Sequence, residues 1–128
     1  MRHRTLFENV KKYTGMYLPE ETFPVVAAFL LGYDEACEGG LLAGFREWLV
    51  VRLGTGSNLS WPALVLLAAF PGAESPENEL SKNVGAQRHA IDTLFDLVAA
   101  FDGERSKQGA LKDIFGRYQQ WLTERGID

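Results

Sequence analysis

The chain has 128 residues, with 46% apolar and 23% charged residues and a formal net charge of −4. That length suits one domain around one core, and the composition is that of a soluble globular protein. A mildly acidic balance argues against a general nucleic-acid binder, which carries a basic face.

Residues 4–13 read as a first helix, with Leu6, Phe7 and Val10 on one face and Lys11 and Lys12 in the last turn, where cations suit the helix dipole. Gly15 is expected to end it as a C-terminal cap. Thr22 is placed to cap a second helix, with Pro24 in its first turn, where amides have no helical partner. Val26, Phe29, Leu30, Tyr33 and Cys37 then recur at i, i+3, i+4, i+7 and i+11, an apolar stripe that predicts a buried helix stopped by Gly39-Gly40. A third helix is predicted over Leu41–Leu53, with Leu41, Phe45, Trp48 and Leu49 as its apolar face.

GTGSNLS, residues 54–60, is a loop by composition. Ser60 is placed to cap a fourth helix, Trp61–Phe70, which is apolar nearly all round and so is expected at the centre of the core. Residues 71–85 read as a long surface loop. A fifth helix is predicted from Ala86 to Phe101 on Ile91, Leu94, Phe95 and Val98, a break at Asp102-Gly103, and a last helix from Ser106 to Glu124 on Leu111, Ile114, Phe115, Tyr118 and Leu122. No window alternates apolar and polar residues over more than four positions. The expected fold is an all-α, single-domain bundle of five to six helices covering residues 1–128.

Few residues offer chemistry. His3, His89 and Cys37 are the only nitrogen or sulfur ligands, and none are paired at helical spacing, so neither a metal nor a cofactor is expected. No G-x-S-x-G elbow is present, and Gly54-Thr55-Gly56-Ser57 lacks the lysine ending of a phosphate loop. Cys37 reads as a small buried hydrophobe, and His89 as a solvated or capping residue. Asp34/Glu38 and Asp92/Asp96 are carboxylate pairs at i, i+4, more simply solvated acids than a catalytic pair. A single cysteine fits a reducing compartment, the N-terminus lacks the apolar run of a signal peptide, and no apolar run approaches the ~20 residues that span a bilayer. A cytoplasmic, non-enzymatic protein is expected, without direct nucleic-acid or membrane contact.

Charge is uneven along the chain. Residues 1–12 carry a net +3, residues 13–81 a net −7, and residues 82–128 balance. The acidic excess falls on the second and third predicted helices and the 71–81 loop. Such a face steers association with a basic partner.

Gly15-Met16-Tyr17-Leu18, then Phe29, Gly32-Tyr33 and Ala36, then Gly44-Phe45-Arg46-Glu47-Trp48-Leu49 and Trp61 form a pattern over about residues 13–65. It resembles small bacterial proteins with an (R-P)-G-M-Y-L/I-G segment followed by F-x-x-G-Y-x-x-A and G-F-x-x-W. Tyr13-Thr14 and Pro19 depart from that pattern. Some of those proteins are encoded beside polymorphic or contact-dependent toxins and are taken as their immunity proteins. The resemblance implies a non-catalytic inhibitor of a basic, nuclease-like toxin, acting as a monomer or homodimer. Interface anchors are commonly aromatic with a charged rim. The expected anchors are Tyr17, Tyr33 and Trp61, and the expected rim is Asp34, Glu35, Glu38 and Glu47. Two alternatives predict different things: a small-molecule pocket or enzyme site lined by Tyr17, Tyr33, Trp48 and Trp61, or an oligomeric structural subunit with an aromatic face.

Overall fold

The computed structural model describes residues 2–127. Eight helices and no strand lie among them: α1 (Arg2–Lys12), α2 (Thr14–Tyr17), α3 (Phe23–Ala36), α4 (Phe45–Leu53), α5 (Trp61–Ala69), α6 (Pro76–Glu79), α7 (Val84–Arg105) and α8 (Ala110–Glu124). The all-α expectation holds. The count of five to six corresponds to the six longer helices and misses α2 and α6, single turns of four residues each.

The helix pattern is organised around α7. This 22-residue helix, about 33 Å long at 1.5 Å per residue, contacts α1, α3, α4, α5 and α8. Five different partners demand an apolar surface on several sides, and α7 supplies it through Ala90, Ile91, Leu94, Phe95, Val98 and Phe101, all buried. The fourth predicted helix does enter the core as α5, through Trp61, Leu64, Val65, Leu66 and Ala69. One contiguous apolar cluster extends from Phe7 in α1 to Trp121 in α8.

Several helix ends depart from expectation, each for a local reason. Thr14 is buried, donating its hydroxyl to the Val10 carbonyl (2.7 Å) and accepting from Arg88 (3.0 Å). These bonds to α1 and α7 hold the extra turn α2, so Gly15 does not end the first helical run. Thr22 occupies the cap position of α3 without a side-chain cap bond. The Phe23 amide donates instead to Gln87 of α7 at 2.7 Å, which couples the start of α3 to the central helix. The predicted start of the third helix at Leu41 moves to Phe45. Glu38, Gly39 and Gly44 all have positive φ (57°, 74° and 90°), which interrupts a right-handed helix. The Asp34 carboxylate accepts the amides of Leu41 and Leu42 at 3.1 and 2.8 Å and so fixes the intervening turn.

The predicted break at Asp102-Gly103 is absent, and α7 runs through it. Glycine inside a helix costs about 1 kcal/mol relative to alanine. Here the surrounding residues are tied down: Phe101 is buried, Asp102 pairs with Arg4, and Glu104 accepts from Trp48 and Arg117. The predicted 71–85 loop contains α6 and is pinned to the core by buried Leu80. Asn83 caps α7 by accepting the Ala86 amide at 2.8 Å.

Candidate functional site: the groove between α1 and α7 and the acidic end of α3

The helices α1 and α7 run antiparallel, because Arg4 pairs with Asp102 and Lys11 with Asp96, each at 2.8 Å. Seven residues of α1 separate the two cations, so the ion pairs stand about 10 Å apart along the helices. Between them lies a cavity of about 180 Å³ whose lining includes Phe7, Phe95, Val98, Ala99 and Phe101. The Phe7 and Phe95 rings lie 6.2 Å apart, a tilted pair. An apolar floor is thus bracketed by two charge-compensated pairs.

At its far end this groove meets a second depression of about 430 Å³, lined by Cys37, Gly40, Arg105 and Ser106 among others. His3, Leu41 and Asp102 line both. Leu41 is held at the junction from two sides: its amide donates to Asp34, and its carbonyl accepts from Arg105 at 2.6 Å. His3 is held by a 2.7 Å hydrogen bond between Nδ1 and the Tyr33 hydroxyl.

The residues singled out from the sequence fall into distinct places. Tyr33 is half-buried behind the groove wall, edge-on to Phe7 at 5.6 Å, where it positions Phe7 and His3. Asp34 supports the turn that presents Leu41. Glu35 and Glu38 are exposed, and among the described residues neither carboxylate has a cationic partner. Glu47 lies in the first turn of α4, paired with Arg46 at 3.3 Å. Trp61 is 9% exposed and packs edge-on to Phe45 at 5.6 Å, so it is a core residue and not a surface anchor.

Tyr17 is 47% exposed and precedes the start of α3, whereas Glu35 and Glu38 sit at its other end. The 14 residues of α3 place about 21 Å between them. Tyr17 therefore belongs with exposed Tyr13 and Met16, away from the acidic set. Of the alternative pocket lining, Tyr17, Tyr33, Trp48 and Trp61, none lines the α1–α7 groove, and Trp48 lines a different cleft, beside Arg52, Glu104 and Arg117.

The other sequence candidates have structural partners. Asp92 pairs with Arg88 at 2.6 Å and Asp96 with Lys11, so each carboxylate has its own cation. The GTGS stretch is a tethered loop: Arg46 donates to the Leu59 carbonyl at 2.7 Å and to the Ser57 carbonyl. His89 donates from Nε2 to the Ala69 carbonyl at 2.7 Å and thereby caps the end of α5. Cys37 is half-buried, as the C-cap of α3, where a fully buried side chain was expected. No group of His, Cys, Asp and Glu among the described residues could hold a metal ion, and none of their helices is long and apolar enough to cross a membrane.

Sequence reasoning missed the groove. Its signal was present only in halves: His3, Arg4, Phe7, Glu8 and Lys11 share one face of α1, and Phe95, Asp96, Ala99 and Asp102 share one face of α7. Nothing in either half states that they face each other.

A separate polar cleft lies between α4, α7 and α8. Glu104 accepts from Arg117 at 2.5 Å and from Trp48 Nε1 at 2.7 Å, and Arg52 stacks over the Trp48 ring at 5.0 Å. The Arg117 hydrogen bond, then the Trp48 bond, holds the Glu104 carboxyl below its ordinary range. A lowered carboxyl pKa contributes stability above the unfolded value, near 4.5, and that stability is lost as pH falls through the folded value. Glu104→Gln is therefore expected to lower stability by about 1 kcal/mol at pH 7. The value is modest because the side chain is 31% exposed. Thermal melts at pH 7 and pH 3 should show the gap between variant and parent closing in acid.

No protein-family model, curated protein or solved structure matches the chain.

Proposed function

We propose that this chain is a non-catalytic protein-binding module of the immunity type, which neutralises a basic, nuclease-like bacterial toxin in the cytoplasm through the acidic end of α3. The observation that carries the reading is the state of Glu35 and Glu38. Both carboxylates are exposed and lack cationic partners among the described residues, as do Glu20, Glu21, Glu74 and Glu77 of the same acidic stretch, and Glu35 and Glu38 are the two that stand at the end of α3.

Their position is also unfavourable for the isolated fold. The C-terminal end of a helix carries the negative pole of its dipole, and a carboxylate there costs about 0.3–1 kcal/mol. Glu38 in addition adopts φ 57°, the one positive φ outside glycine among the described residues. For an L-residue that conformation costs about 1–2 kcal/mol. Negative charge kept at a place where it weakens the fold is expected where it serves a partner. The net charge of −7 over residues 13–81 acts in the same direction at longer range.

The test is calorimetry against the products of neighbouring genes at low and high salt, with Glu35→Lys/Glu38→Lys beside the parent. The expected result is one-to-one binding that weakens with salt and falls by about 100-fold or more in the double variant. The same variant should melt a few degrees higher, because cations suit the helix C-terminus. Binding that is indifferent to the reversal would reject the surface, and absence of any bound neighbour would reject the inhibitor reading.

A further inference from the structure

We propose that the groove between α1 and α7 is a binding site for a small monoamine with one aromatic ring, the ring seated against Phe7 and Phe95 and the ammonium beside Glu8. The site is separate from the acidic end of α3 and does not depend on the inhibitor reading.

Size and polarity select the body of the ligand. The cavity measures about 180 Å³, and its floor is Phe7, Phe95, Val98 and Phe101. An apolar cavity of about 150 Å³ holds one benzene ring, whereas drug-sized ligands occupy roughly 300–1,000 Å³. The ion pairs at its two ends, about 10 Å apart along the helices, set the same limit. A single ring fits, and aromatic side chains in the floor offer it edge or face contacts.

Charge selects among such ligands. Five charged residues line the groove: Arg4, Glu8, Lys11, Asp96 and Asp102. Arg4 is paired with Asp102 and Lys11 with Asp96. Glu8 remains, exposed and without a cationic partner among the described residues. Two cations against three carboxylates leave the lining with one net negative charge. Arg4 and Lys11 stand at i−4 and i+3 from Glu8 on the same face of α1, the usual spacing for a helix ion pair. Both reach across to α7 instead, so an uncommitted carboxylate is left on the groove rim between the two pairs. Other exposed carboxylates also lack a cation, but none of them lines the depression beside Arg105 or the cleft beside Arg117.

The surroundings limit the ligand to one positive charge. Past His3, Leu41 and Asp102 the adjoining depression carries Arg105, whose guanidinium donates to the Leu41 carbonyl at 2.6 Å. Asp102, the carboxylate there, already has Arg4. A second ammonium extending that way would meet a like charge, which disfavours diamines and basic peptide segments.

The probes are phenethylamine, phenethyl alcohol, hydrocinnamate and ethylamine, titrated into the full chain at low salt and followed by ¹⁵N NMR. Phenethylamine is expected to shift the signals of Phe7, Glu8 and Ala99. It should bind about threefold more tightly than the alcohol, the range of an exposed ion pair, and about tenfold more tightly than hydrocinnamate, which Glu8 repels. High salt should remove the preference for the amine. Ethylamine, which lacks the ring, should not bind at the same concentrations. Glu8→Gln, a conservative change at an exposed helix position, should erase the preference while leaving the alcohol's affinity as in the parent. Ala99 is exposed on the groove wall, so Ala99→Trp should fill the groove from the surface and abolish binding of amine and alcohol alike.

Equal affinity for amine and alcohol in the parent would overturn the assignment, as would an amine preference that persists in Glu8→Gln. Ethylamine binding as tightly as phenethylamine would reduce the site to a surface carboxylate and also reject it. So would shifts that fall outside the groove, or no binding by any probe.

Discussion

Phe45→Ala should lower the free energy of unfolding by about 3–5 kcal/mol. The Phe45 ring has no exposed surface and meets three other aromatic rings, at centroid distances of 5.3 Å to Phe101, 5.6 Å to Trp61 and 6.1 Å to Trp48. Those rings belong to α4, α5 and α7, so one side chain joins three helices. Truncation removes its transfer energy and leaves a cavity walled by large rings that cannot collapse into it. Against a total stability of about 5–15 kcal/mol for a domain, the loss corresponds to a fall in melting temperature of about 11–19 °C. Urea unfolding followed by tryptophan emission measures it directly, because Trp48 and Trp61 are neighbours of the cavity. Phe115→Ala is the control: Phe115 is 43% exposed, and its truncation should cost about 0.5 kcal/mol or less. Equal effects at the two positions would mean that Phe45 is not the junction of the core.

Gly44→Ala is expected to cost about 2–3 kcal/mol, from two separable causes. Gly44 has φ 90°, where an L-residue is strained by about 1–2 kcal/mol. A Cβ there would also stand 2.8 Å from Leu111 Cδ1 of α8, with Ile114 and Phe101 close behind. Leu111 must move, which adds about 1 kcal/mol of overpacking. Gly109 isolates the first cause. It likewise precedes a helix with φ 74°, yet a Cβ there would meet nothing within 4 Å. Gly109→Ala should therefore cost only the backbone strain, about 1–2 kcal/mol, and the difference between the two variants in urea midpoints reads the close approach of α4 to α8. Gly40 and Gly44 both precede α4, and the close approach to α8 falls at Gly44.

The immediate consequence for the acidic surface is that its geometry depends on this turn. Asp34, one of the expected rim residues, spends its carboxylate on the Leu41 and Leu42 amides. Glu35 and Glu38 are left exposed to solvent. Among the expected anchors, Tyr33 reaches the groove only through Phe7 and His3, and Trp61 is enclosed by the core.

What the sequence determined by itself was the helical content and most buried faces. Val26 and Leu30 in α3, Ile91, Leu94, Phe95 and Val98 in α7, and Ile114 in α8 stand in the core where their 3.6-residue periodicity puts them. Periodicity is a property of one helix, so it can be read from a single stretch of chain. Helix ends and the groove are properties of pairs. α7 continues through Gly103 because Arg4, Trp48 and Arg117 hold the residues around it, and α4 starts late because Asp34 takes the amides of Leu41 and Leu42. Arg4 and Lys11 acquire meaning only opposite Asp102 and Asp96, more than eighty residues away along the chain. Local spacing carries no information about such partners, and tertiary packing alone decided them.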